Sequence, residues 1–458
     1  LTFVDLKDKR VLVVGLGKSG VASALFLKDR GARVTVSDTK SPDQLCDEIP
    51  ILLDHGITVE TGGHGERTFR GQDLIVVSPG VPVDAPPLVQ ARAAGEPVIG
   101  EIELAAQNLP GPIVAITGSN GKTTTTTLAG EILASGGLPV AVGGNIGTPA
   151  ISLVAAASRE TVIVLEVSSF QLETIQTFRP KVAVILNITP DHLDRHRTFQ
   201  TYIDAKARIF ENQQPDDFTV LNEDDPTCRT LRDRTRAQVF WFSRKQEVQN
   251  GAWVRDRRIL FRDSSGQREI LQVSEIPLKG AHNVENVLAA VCAGALMGCE
   301  PAKIRKAIQE FKAVEHRLEY VATIKGVEYF NDSKATNVDA TIKALESFPK
   351  NIHLILGGKD KGSDYTVLND LLRERVKRVY TIGAAAEKIE SQIKGSAEIV
   401  HAETLDNAIR RAAAVAQPGD IVLLAPACAS FDQFQSYNHR GRIFKEVVHS
   451  LELQHAKA

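Results

Sequence analysis

Residues 113–130 read IVAITGSNGKTTTTTLAG. The apolar, β-branched run Ile113–Thr117 has the length of a buried strand, GSNG is a turn, and the threonine-rich run after Lys122 has helical character. Strand, glycine turn and helix in that order are the parts of a parallel sheet with crossover helices. Ile116 stands where the strict GxxxxGK[ST] pattern has its first glycine, yet the lysine and hydroxyl residue keep their places. Backbone N–H groups of Gly118, Ser119, Asn120 and Gly121 can cradle phosphates, Lys122 can pair with their outer oxygens, and Thr123, followed by Thr124, can hold Mg²⁺. This segment predicts an ATP or GTP site. A surface turn with a solvated lysine does not explain a Lys-Thr pair at a helix start behind an apolar strand.

The same grammar recurs on both sides. Upstream, VLVVGLGKSGVASALFL (11–27) places Gly15, Gly17 and Gly20 between a strand and a helix, with Asp38 closing the next strand. Glycines let the backbone approach a diphosphate, the helix start supplies N–H donors, and the acid can reach a ribose hydroxyl. NAD fits this turn, as does any nucleoside diphosphate; glycines that merely pack strand on helix are the plainer reading. Downstream, from His316, VEYFNDS, IHLILGGKDKG, RVYTIG, EIVHA and DIVLLAPA alternate with helical runs such as Leu405–Ala416. A linker is expected at Asn108–Pro112. Between Thr219 and Pro277 the short alternating runs QVFWFS, AWVRD, RRILFRD and REILQVS predict an antiparallel flank. The fold class is therefore α/β with three domains: a Rossmann-like domain over 1–108, a central ATPase domain over 109–314 with a mostly parallel sheet and a small antiparallel flank, and a second Rossmann-like domain over 315–458.

A length of 458 residues suits three such domains. The 54 Lys+Arg against 56 Asp+Glu leave −2, with no basic excess for a nucleic-acid backbone. The five cysteines include no CxxC pair and are odd in number, which suits reduced packing thiols and a cytoplasmic protein. The longest apolar run, Val287–Cys299, is too short to cross a bilayer, so no membrane insertion is expected and a buried helix is.

Strand ends carry the remaining candidates. Glu166 closes VIVLE, where a buried carboxylate needs a metal or an ion pair. Asn187-Ile-Thr-Pro-Asp-His192 closes another strand with side chains that coordinate Mg²⁺ or position phosphate, although a lone loop histidine is more often only hydrogen-bonded. Lys206, in the helical YIDAKARIF, reads from spacing alone as solvated. Asn331–Thr336 and Gly357–Lys361 follow strands and mix charge with small hydroxyl residues, as ligand loops of open sheets do.

Taken together, TGSNGKTT (117–124), GGNIGTP (143–149), LEVSSFQLE (165–173), NITPDHLDRH (187–196), GAHNVENVLAA (280–290), HRLE (316–319), NDSKATN (331–337), LGGKDKG (356–362) and APACASFDQF (425–434) resemble the Mur ligases over essentially the whole chain. SSFQLE, NDSKATN and ACASFDQF are similar to the branch that adds D-glutamate. The resemblance implies ATP-dependent amide formation in peptidoglycan precursor synthesis, with UDP-N-acetylmuramoyl-L-alanine and D-glutamate as substrates and an acyl phosphate between them. It implies that Lys122 stabilises the transferring phosphoryl group, that Thr123 and Glu166 hold one Mg²⁺ and Glu166 with His192 a second, and that Lys206 is a carbamylated metal-site lysine. By the same resemblance Asn286, Arg317 and Asp332 reach ATP. Gly15, Lys18, Ser19, Asp38, Thr39, Ser78, Asn145 and Ser168 then hold the UDP substrate, and Lys334, Thr336, Lys361, Ser430 and Tyr437 hold D-glutamate. Lys40 stands where the family commonly has Arg, and Tyr437 where Phe is familiar. A monomer is expected. The competing readings are an NAD-dependent oxidoreductase with an accessory NTPase domain and a non-catalytic nucleotide switch.

Overall fold

The computed structural model describes residues 6–65, 67–278, 280–312 and 315–456, so the expected boundary at residue 314 falls outside them. Five parallel strands, β1 (Arg10–Val14), β2 (Arg33–Ser37), β3 (Thr58–Glu60), β4 (Leu74–Val77) and β5 (Val98–Gly100), lie in the order β3-β2-β1-β4-β5. The winding reverses beside β1, so Gly15–Gly20 opens at the topological switch point. Val11–Val14 and Leu74–Val77 are buried throughout, because helices cover both faces of such a sheet.

The second sheet holds β6 (Ile113–Thr117), β7 (Val140–Gly144), β8 (Val162–Glu166), β9 (Val182–Ile185), β10 (Phe218–Asn222), β11 (Gln238–Ser243), β12 (Gly251–Arg255), β13 (Arg258–Asp263) and β14 (Gly266–Gln272). Its order is β14-β13-β12-β11-β10-β9-β6-β8-β7. Pairing is parallel from β7 to β12 and antiparallel only from β12 to β14. The antiparallel flank expected over 219–277 is therefore smaller: β10 and β11 belong to the parallel sheet. Phe242 and Trp253 are buried, and Phe240 stacks on Phe261 at 6.3 Å between ring centres, which fastens the flank to the sheet.

The third sheet holds β15 (Glu319–Ile324), β16 (Val327–Asn331), β17 (Ile352–Gly357), β18 (Val376–Ile382), β19 (Glu398–Glu403) and β20 (Ile421–Leu424), ordered β15-β16-β20-β17-β18-β19. Only β15 is antiparallel to its neighbour. The last strand lies between β16 and β17, so the loops after Asn331, Leu424 and Gly357 emerge side by side.

The chain forms two compact units. One contains 1–188, 200–273 and 286–308; the other contains 189–199, 274–285 and 309–458. Val287–Ala293, in the helix Ala281–Leu296, is buried as the apolar run predicts, and among the described residues no helix is long and apolar enough to cross a membrane. All five cysteines are free thiols, but Cys46 is exposed and so departs from the packing role expected of them.

Candidate functional site

In the first unit the turn after β6 is built by close approach. Gly121 holds a left-handed φ of +86° before the helix Lys122–Ser135, and a Cβ there would stand 2.1 Å from Asn286 Oδ1. Only glycine fits that position. Asn286 thus lies against the turn as expected, and it also accepts from Thr125 Oγ1 at 3.4 Å. Asn187 braces the other side: its side-chain oxygen accepts from Asn120 N at 2.8 Å, its amide donates to Asn120 O at 3.1 Å, and its carbonyl accepts from Ser119 N at 2.9 Å. That role for Asn187 was not foreseen, although its place at the end of a buried strand pointed to a site. The Lys122 ammonium folds back onto the carbonyls of Gly118 at 2.9 Å and Ser119 at 2.8 Å.

Glu166 is 3% exposed at the end of β8, the strand beside β6. Its oxygens accept from Thr123 Oγ1 at 2.7 Å and from Asn145 Nδ2 at 2.9 Å. The structure therefore joins three residues expected around the metal and the substrate. Lys206, 1% exposed, contradicts the solvated reading from spacing: its Nζ donates to Gly118 O at 2.8 Å and to Thr117 Oγ1 at 3.4 Å, and sits 4.7 Å from the centre of the Tyr202 ring. Tyr202 in turn shares a 3.1 Å hydrogen bond with Ser119. Thr124 Oγ1 is buried without a protein partner.

Around β1, Gly15 (φ +92°) and Gly20 leave no room for a Cβ. Asp38 accepts from Leu16 N at 2.6 Å and Lys40 N at 2.8 Å, and Ser78 Oγ donates to Gly15 O at 2.8 Å. Both side chains shape the glycine turn, a task the sequence did not reveal. Thr39 is exposed nearby. Lys18, Ser19 and Asn145 line one cleft of about 210 Å³ with Gln171. Gln171 Oε1 accepts from Ser168 N at 3.0 Å, so Ser168 is tied to the wall of that cleft.

In the second unit Asp332 is buried and pushed up to about 6 by that burial, against the pull of Arg317, the Leu318 amide and Lys334. Arg317 Nε is buried without a hydrogen-bond partner. His282, beside Arg317 and Lys343, is pushed down to about 3 by burial and those charges. Lys334 Nζ lies 5.2 Å from the Tyr437 ring centre, and Thr336 N bonds Lys334 O at 2.9 Å. Ser430 is 2% exposed. Lys361 pairs with Asp191 at 3.3 Å, and Asn337 donates to the same carboxylate at 3.0 Å. His192, in left-handed backbone (φ +53°), has Nε2 3.7 Å from Asp191. Asp191 was expected only as part of a polar cluster; here it joins the NITPDH and GGKDKG motifs.

Three family models match the chain: a Mur ligase MurD-like N-terminal domain over 9–100, a Mur ligase middle domain over 116–294, and a Mur ligase glutamate ligase domain over 316–428. The UDP-N-acetylmuramoylalanine–D-glutamate ligase of Koribacter versatilis is 68% identical over 99% of this chain and 100% of its own length. Its counterpart from Acidobacterium capsulatum is 59% identical over 97% of each. Among solved structures, the MurF ligase of Thermotoga maritima in complex with ADP has a TM-score of 0.62 at 18% identity, covering 98% of this chain and 96% of that one. The UDP-N-acetylmuramate-alanine ligase of the same organism has a TM-score of 0.59 at 20% identity over 96% and 99%. These last two share the fold. The chain belongs to the Mur ligase family.

Proposed function

We propose that this chain is an ATP-dependent ligase that adds D-glutamate to UDP-N-acetylmuramoyl-L-alanine. The observation that carries the chemistry is the link from Thr123 through Glu166 to Asn145 beside the glycine turn, where backbone N–H donors for phosphate, hard oxygen ligands and the Asn145 side-chain amide meet. Joining a carboxylate to an amine in water is uphill, so the carboxylate of the nucleotide substrate first takes the γ-phosphoryl group of ATP. The amine of D-glutamate then attacks the acyl phosphate, and phosphate leaves.

The donor set fits Mg²⁺. Among the described residues no group of three or more His, Cys, Asp or Glu side chains forms a ready cage. Mg²⁺ prefers one or two protein oxygens completed by phosphate and water, which Thr123 and Glu166 supply. The buried, partnerless Thr124 Oγ1 beside the glycine turn is an atom that a polar ligand would satisfy. When bound, the ion draws charge from the phosphate oxygens. Lys122 moves its ammonium from two carbonyls to the transferring group, where fixed charge acts with little reorganisation. His192 is assigned with Glu166 to a second metal, and Lys206 is assigned as a carbamate: the neutral amine adds CO₂ and loses a proton, becoming an anionic oxygen ligand. Its burial beside Gly118 supports that assignment. Asn286, Arg317 and Asp332 are assigned to ATP, and Gly15, Lys18, Ser19, Asp38, Thr39, Ser78, Asn145 and Ser168 to the UDP substrate. Lys334, Thr336, Lys361, Ser430 and Tyr437 are assigned to D-glutamate, whose two carboxylates call for cations and hydroxyls.

The proposed domains run 1–108, 109–314 and 315–458. The protein is taken to act as a cytoplasmic monomer without nucleic acid; its free thiols and near-neutral charge support the compartment and the absence of a polyanion partner. Phosphate release is the decisive assay, with ATP, UDP-N-acetylmuramoyl-L-alanine and D-Glu, L-Glu, L-Ala or diaminopimelate as acceptor. Release that depends on D-Glu is expected. Release indifferent to every acceptor, or tight NADH binding without UMP binding, overturns the proposal.

A further inference from the structure

Arg440 lies in the helix Tyr437–Ala456 of the second unit and is 0% exposed. Its guanidinium makes five hydrogen bonds to four acceptor atoms, none of them a carboxylate oxygen. Nε donates to Ser333 Oγ at 3.0 Å. Nη2 donates to Ser333 O at 2.8 Å and Cys428 O at 3.2 Å; Nη1 donates to Cys428 O at 3.2 Å and Ala429 O at 3.5 Å. Among the described residues no acid comes within ion-pairing distance of it. Asp432 acts on it only through space, and burial lowers its guanidinium to about 10, so it stays charged near neutrality.

An unneutralised buried cation is costly, and apolar side chains of similar volume often stabilise such sites. Its presence there therefore calls for a reason other than filling space, and its contacts supply one. Ser333 follows β16 and precedes Lys334, while Cys428 and Ala429 follow β20 and precede Ser430. Gly358 follows β17 and approaches so closely that a Cβ there would stand 3.2 Å from Nη1. Ser333 Oγ also donates to the carbonyl of Tyr437 at 2.9 Å. Lys359 and Ala429 close a small antiparallel bridge across two of the three loops. One planar fork thus ties together the loops after β16 and β20, with the loop after β17 packed against it, a geometry that the three donors of a lysine cannot reproduce.

We propose that Arg440 is the positioning residue of the amino-acid pocket: its fork sets the spacing of Lys334, Ser430 and Tyr437, and its unneutralised charge favours a ligand with two carboxylates. This inference rests on the D-glutamate reading above.

The test is steady-state kinetics of the full chain, with the wild type measured first. For Arg440→Lys, the KM for D-Glu rises about tenfold or more while the KM for ATP stays within about twofold, the split a lost positioning contact produces. Ser333→Ala keeps the charge and removes one fork contact, and its KM for D-Glu rises about threefold with the melting temperature nearly unchanged. An unmoved KM for D-Glu in both variants, with kcat falling in step with melting temperature, overturns the proposal. Should Arg440→Lys fail to fold, Ser333→Ala decides alone: an unchanged KM for D-Glu overturns it. A wild type that uses no acidic amino acid overturns the functional reading itself, an outcome visible before any variant is measured.

Discussion

Gly121 is held at φ +86° with the Asn286 carboxamide in the space a side chain would take. Gly121→Ala therefore meets both backbone strain and a clash, expected to cost about 1–3 kcal/mol of stability and to weaken ATP binding. Chemical denaturation and ATP titration check this; an alanine variant with unchanged midpoint and affinity would show that the turn is looser than its geometry. Residue types at this turn were legible in the sequence, because strand, glycine, lysine and threonine each have a local reason to be there. Asn187 and Arg440 were not, because their partners are brought by strands and helices far away in the chain. Asp38 was legible as a site residue, yet the ribose role read from spacing gave no hint that one of its oxygens already holds the glycine turn at Leu16 and the other its own loop at Lys40. Lys206 was legible only by resemblance. Its burial beside the Gly118 carbonyl favours a role at the phosphate turn, and Lys206→Ala is expected to lose most activity. Small carboxylic acids should restore part of it by supplying the missing oxygen ligand; full activity without additive sinks the carbamate.

The helix Glu101–Asn108 shows how two carboxylates two residues apart can be shifted in opposite directions. Burial pushes Glu101 from 4.5 up to about 7, and the amides of Ile151 and Ala150 and the Gln171 side chain offset this only in part. Its Oε2 is buried without a partner. Burial raises Glu103 too, but the Gln176 and Thr177 amides, the Thr177 hydroxyl and Gln107 outweigh it, and its carboxyl ends below the usual value. The signs follow. Glu101 is protonated in the folded chain and ionised in the unfolded one between the two values, so folding takes up a proton and stability falls as pH rises from about 4.5 to 7. Glu101→Gln removes that dependence and should be more stable than wild type at pH 8 by up to about 3 kcal/mol, with most of the gain gone at pH 5. Glu103 contributes stability above its unfolded value that is lost as pH falls through the folded one. Glu103→Gln should therefore cost about 1–3 kcal/mol at pH 7 and progressively less in acid. Denaturation midpoints across pH would show the opposed slopes; parallel slopes would mean the two environments are alike. At this scale the sequence revealed strands well and pairing poorly. β11 alternates half-buried and buried residues as an antiparallel edge does, yet it pairs parallel with β10, because a strand near the rim of a parallel sheet is covered unevenly.

Three α/β sheets were readable from three strand–turn–helix openings, since each opening is local. That β20 lies between β16 and β17 was not, because strand order is a property of crossovers and not of any segment. The consequence is functional: NDSKATN, GGKDKG and APACAS become one loop cluster in the second unit, while both glycine turns belong to the first. Separate units make separate ligand responses expected. A ligand held at 100 times its dissociation constant stabilises its own folded unit by about 2.7 kcal/mol. Bound UMP should slow hydrogen exchange at the strands and turns of 10–40 and leave 327–331, 352–357 and 421–424 unchanged, while D-Glu should do the reverse. Peptide-resolved exchange of the full chain distinguishes this from one cooperative body, in which either ligand slows exchange throughout by a common factor. Protection of the third sheet by UMP alone would reject the assignment of the UDP group to the first glycine turn, because that turn shares its backbone hydrogen bonds with β1, β2 and β4.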